Sequence, residues 1–81
     1  MKYQRLQDLR EDNDMTQAEF SEILHVSQRA YSYYETGTRQ LSAEMLIRIA
    51  EYYKTSVDYL LGLTDEKKPY PRKNDPKNPS F

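Results

Sequence analysis

A chain of 81 residues with a formal net charge of -1, no cysteine and a single histidine, His25, has room for one small core. That composition removes disulfides, thiolate metal ligands and thiol nucleophiles, and it leaves a zinc site or a serine-type triad only one imidazole to build on. The opening Met1-Lys2-Tyr3-Gln4-Arg5 is too polar for a signal peptide and no apolar run approaches membrane-spanning length, so the expectation is a cytoplasmic protein with no membrane partner.

Tyr3, Leu6 and Leu9 recur every three residues with Arg5, Asp8, Arg10 and Glu11 among them, which predicts a short amphipathic first helix ended by Asp12-Asn13-Asp14. Thr16 and Glu19 form a capping box, in which hydroxyl and carboxylate each satisfy an otherwise unpaired backbone N–H. The second helix runs to about Leu24, with Phe20, Leu24 and Ile23 inward and Ala18 and Ser21 small enough for a close neighbour. Only His25 and Val26 precede the next cap, Ser27, and Gln28 to Glu35 holds no proline or glycine, so a third helix follows a very tight turn. Gly37 closes it, because the position after a helix end favours a residue free to take positive φ, and residues 36–40 read as a loop.

Ser42 caps a fourth helix in which Leu46, Ile49, Ala50 and Tyr53 repeat at helical spacing. Ser56 caps a fifth, carrying Val57, Leu60 and Leu61 and stopped by Gly62. Tyr34 and Tyr53 read as core. From Thr64 onward, four prolines and five basic residues leave little apolar surface to offset the entropy of ordering the backbone, so residues 66–81 are expected to form a flexible tail and residues 1–65 the domain. No period-two alternation of strands appears, and the predicted fold is all-α: a compact bundle of five helices.

The blocks Thr16-Gln17-Ala18-Glu19-Phe20, Val26-Ser27, Tyr31 to Gly37, Leu46 to Ala50 and Asp58 to Gly62 occur in an order and spacing that resemble the Cro/C1-type (Xre-like) helix-turn-helix family over roughly residues 3 to 65. The resemblance implies a bundle of the phage-repressor DNA-binding-domain type, with helix two crossing a DNA backbone and helix three in the major groove. Three positions depart from the family pattern. His25 stands where glycine is common, so a left-handed backbone there costs about 1 kcal/mol more. Tyr31 replaces a buried aliphatic, and its ring and hydroxyl must be accommodated near the core. Leu41 replaces a proline ahead of helix four.

The same resemblance implies the site residues. Gln17, in the first turn of helix two, is either a phosphate contact or a solvated glutamine beside a cap. Ser27, Gln28 and Arg29 open helix three, where side chains reach base edges; glutamine pairs with adenine and arginine with guanine. Ser32 and Tyr33 lie one turn further along, for a base edge or a phosphate. Thr38 and Arg39, with Gln40, occupy the following loop, a position for phosphate contacts. Lys2 and Arg5 either assist or are only solvated, and Glu35 matches a position that bonds within the domain.

These readings favour a repressor-like transcriptional regulator that binds double-stranded DNA as a homodimer, with no catalytic residue, metal, cofactor or small-molecule ligand. Ile47, Tyr52, Tyr59, Leu60 and Leu61 are the candidate dimer contacts. The net charge weighs against DNA. Up to Gly62 there are seven basic against ten acidic residues, and afterwards five against three. That acidic body keeps open a second reading, an antitoxin or antirepressor-like module that binds another protein.

Overall fold

A computed structural model describes residues 2–69 of the chain. Five helices follow one another, α1 (Gln4–Asp12), α2 (Gln17–Leu24), α3 (Gln28–Thr36), α4 (Ala43–Tyr53) and α5 (Val57–Leu60), and there is no strand among the described residues. The expected all-α bundle is what forms.

Short polar side chains start four of the helices. The Thr16 hydroxyl accepts from the Glu19 N–H at 3.1 Å while the Glu19 carboxylate accepts from the Thr16 N–H at 2.8 Å. The second bond holds the exposed Glu19 carboxyl below its usual pKa. Ser27, Ser42 and Ser56 accept from Ala30, Met45 and Tyr59 at 3.0, 3.1 and 3.0 Å. Each bond satisfies a donor that the first turn of a helix otherwise leaves unpaired.

Helix ends are equally local. At the end of α2 the Val26 N–H returns to the Ser21 carbonyl at 3.0 Å and the His25 N–H to Glu22 at 3.1 Å, with His25 left-handed at φ 59°. This paired arrangement lets the chain reverse within two residues and start α3 at once. Lys54 does the same for α4 at φ 56°. Gly37 ends α3 at φ 81°, where a Cβ would be strained.

Phe20, Leu6, Leu24, Tyr31, Ile49 and Leu60 are the largest side chains shut off from solvent. Tyr31 is accommodated by an edge-on contact with Phe20, ring centroids 5.4 Å apart, and Tyr53 packs on the same ring at 5.0 Å. Tyr34 and Tyr53 are half-buried against this core. Leu41 is buried too, so the residue in the usual proline position anchors the loop to the core.

Several sequence expectations are corrected. Ile23 points outward, 39% exposed, and Ala18 is exposed, whereas Ser21 is buried with its hydroxyl donating to the Ala18 carbonyl at 2.7 Å. Tyr59 and Leu60 are buried, so neither faces outward as a dimer contact. The Arg5 guanidinium lies 4.0 Å from the centroid of the Tyr59 ring and donates to the Tyr59 carbonyl at 2.9 Å, to the Thr64 carbonyl and to Asp65 at 2.6 Å. Arg5 therefore ties the chain after α5 back to α1. It is occupied by that work, not free for DNA. The expected flexibility of the tail beyond residue 69 falls outside the described residues.

Candidate nucleic-acid interface

What faces outward from α3 is decided by what is fixed on its inner side. Glu35 is buried, and its carboxylate accepts from Arg10 Nε at 2.7 Å, Arg10 Nη2 at 3.2 Å and Gln17 Nε2 at 3.1 Å. Arg10 also donates through Nη1 to the Met15 carbonyl at 2.8 Å. A planar fork matched to a carboxylate holds both groups in one orientation, and here it links α1, α2 and α3. Burial by itself pushes the Glu35 carboxyl up, but the hydrogen bonds from its neighbours, Arg10 first, win and hold it below the usual range. The same pairing raises the Arg10 guanidinium above its ordinary value. Beside this network the Tyr31 hydroxyl is buried next to the Glu35 carboxylate, and burial first, then Glu35, pushes its pKa upward.

With Glu35 and Tyr31 turned inward, the helical period turns Gln28, Arg29, Ser32 and Tyr33 outward. An open depression is lined by Gln17, Gln28, Arg29, Ser32 and Tyr33. A second, on the other side of Arg29 and Tyr33, is lined by Ser27, Arg29, Ala30, Tyr33 and Arg39. Seven of the eight sequence-predicted site residues are thus brought to one continuous surface. Thr38 is exposed in the loop and shares a 2.9 Å hydrogen bond with the Thr36 hydroxyl, but it lines neither depression. Gln17 reaches the surface with its amide already donated to Glu35, and the Ser27 hydroxyl is engaged as a cap acceptor.

Charge on this surface is of one sign. Arg29 and Arg39 form no ion pair with a carboxylate among the described residues; each instead approaches the Tyr33 ring, with 5.8 Å from guanidinium carbon to ring centroid. Arg29 Nε also donates to the Tyr33 hydroxyl at 2.9 Å. Sequence reasoning missed Ala30, whose small side chain opens the second depression, and missed Arg10 as the partner of Glu35. A basic residue in the last turn of an amphipathic helix is a signal for Arg10, but its partner lies 25 residues on.

Two short helices joined by a reversal at His25, the second fixed on its inner side and polar on its outer side, define a helix-turn-helix unit within a five-helix bundle. The chain belongs to the Cro/C1-type helix-turn-helix family, whose model, described as Helix-turn-helix, matches residues 6–60. It is 36% identical over 66 residues to the HTH-type transcriptional regulator YobD of Bacillus subtilis, covering 82% of this chain and 59% of the relative. It is 31% identical over 72 residues to the HTH-type transcriptional regulator AnsR of the same organism (89% and 62%), and 33% identical over 57 residues to the antitoxin PezA of Streptococcus pneumoniae (70% and 36%). The chain thus spans between about a third and three fifths of the length of these curated relatives. No solved structure matches it significantly. No helix among the described residues is long and apolar enough to cross a membrane.

Proposed function

We propose that the chain is a sequence-specific DNA-binding transcriptional regulator, acting as a repressor in the cytoplasm, that inserts α3 into the major groove. The observation that carries this reading is the outer face of α3, where Gln28 and Arg29 project from the first turn while Glu35 locks the opposite side. Gln28 suits adenine and Arg29 guanine. Ser32 and Tyr33 follow one turn behind, and Arg39, Thr38 and the N-terminus of α2 at Gln17 flank the groove for phosphates. One such domain offers few contacts, so two copies reading half-sites of an inverted repeat about 34 Å apart supply the affinity. Exposed Ile47 and Tyr52 remain as candidate contacts between the copies.

Fluorescence anisotropy with duplexes from the chain's own promoter region tests this. Binding is expected to weaken steeply as salt rises, and Gln28→Ala with Arg29→Ala is expected to lower specific affinity by roughly 100-fold while circular dichroism stays unchanged. Undetectable or salt-insensitive binding overturns the reading.

A second reading, a protein-interaction module of the antitoxin kind, is favoured by the likeness to PezA and by the exposed Ile23, Ile47 and Tyr52. Co-purification of a stable partner protein from the native host, together with operator binding indifferent to Gln28 and Arg29, selects it.

A further inference from the structure

Arg29 sits on the first turn of α3 and is exposed, and an unsupported arginine in that position carries rotamer freedom that must be given up when it meets a base. Here it is not unsupported. One turn later, Tyr33 is half-buried, with a ring turning on only two side-chain torsions, and its hydroxyl accepts from Arg29 Nε at 2.9 Å. Arg39 approaches the same ring from the loop, 5.8 Å from its centroid, and its like charge disfavours a further collapse of Arg29 onto the ring.

The identity of the donor atom matters. A guanidinium has five N–H donors and can meet guanine O6 and N7 either sideways, through Nε and one terminal nitrogen, or end-on, through both terminal nitrogens. With Nε donated to tyrosine, the sideways approach is closed and the four terminal donors stay available. Gln28, beside Arg29 at the helix start, has no such contact with Tyr33.

We infer that Tyr33 is a positioning residue, one that holds Arg29 so that its two terminal nitrogens present end-on to a single guanine of the bound duplex. The inference rests on the reading of α3 as the DNA-reading helix and adds to it a division of labour, in which Arg29 reads and Tyr33 sets the geometry of reading. Tyr33→Phe removes only the hydroxyl. It leaves the ring, and with it the packing and the approach of Arg39.

The test uses the full chain. Selection from a randomised duplex pool defines the preferred site of the wild type, and anisotropy titrations with each single base-pair change then give discrimination position by position. Arg29→Ala is expected to flatten preference at one G·C pair. Tyr33→Phe is expected to lower discrimination at that same pair by roughly three- to tenfold, with binding to a scrambled duplex changed less than about twofold, and to add nothing further in the Arg29→Ala background. A merely structural tyrosine shifts affinity for all sequences together. If the wild type selects a site and Tyr33→Phe discriminates as the wild type does, alters a different base pair, or acts additively with Arg29→Ala, the inference is wrong while the DNA reading stands. If the wild type binds no duplex or selects no sequence, both fall.

Discussion

On the inner side of α3, Glu35 accepts three hydrogen bonds from Arg10 and Gln17 on two other helices; on the outer side, Arg29 has no carboxylate partner among the described residues and its one tyrosine contact comes from α3 itself. The two sites lie less than two helical turns apart on one rod. Their difference separates what holds a helix in place from what a helix offers to a ligand. A buried charge left without its partner carries a large desolvation penalty, so the inner side must be satisfied within the domain. An exposed charge keeps its water, and leaving it unpaired costs the fold little. The residues of α3 that fix the helix are therefore distinct from the ones it exposes.

The hardest blow to this contrast is struck from the inside. Arg10→Ala strands a buried carboxylate and is expected to cost about 3 kcal/mol in urea unfolding, a large share of what a domain of this size has available. A loss below about 1 kcal/mol would show that the inner pair does not hold α3.

A pH series sharpens the same point. The Glu35 carboxyl is held below its ordinary value of 4.5 in the folded state. Its contribution is thus fully present above pH 4.5 and is lost as pH falls through the lower folded value, because the unfolded chain then binds the proton more readily. Unfolding curves at pH 7 and pH 3 are expected to show acid destabilisation that is smaller in Glu35→Gln, and equal losses in both proteins would remove Glu35 from the cause. The exposed Glu19 adds a contribution of the same sign.

The smallest effect is expected on the outside. Gln28→Ala is expected to leave the unfolding free energy within about 0.5 kcal/mol of the wild type, since the residue is exposed and caps nothing. A larger loss would mean that the outer side also supports the fold, and the contrast between the two sides would disappear.

Much of this was legible in the letters because it is local. Thr16 and Glu19, and the serines at 27, 42 and 56, act on backbone groups three residues away, so a short window of sequence contains both partners of each bond. His25 in a left-handed turn was readable through the family resemblance, which places it where glycine is common. The outward set of Gln28, Arg29, Ser32 and Tyr33 follows from helical period once one inward residue is known. Thr38 and Arg39 were both assigned by position in a loop, and of the two only Arg39 lines a depression, because loop geometry has no period to extrapolate.

Sequence alone therefore determined where helices begin and end, which family the chain joins, and which turn of α3 carries the polar residues, because capping and periodicity act over one or two turns. Only the tertiary structure decided that Arg10 and Gln17 converge on Glu35, that Arg5 closes over Tyr59, and that Tyr59 is buried while Tyr52 is exposed. Those outcomes depend on how helices cross and which rotamers then fit. That information is shared among residues up to 60 positions apart, from Arg5 to Asp65, and no local window holds it.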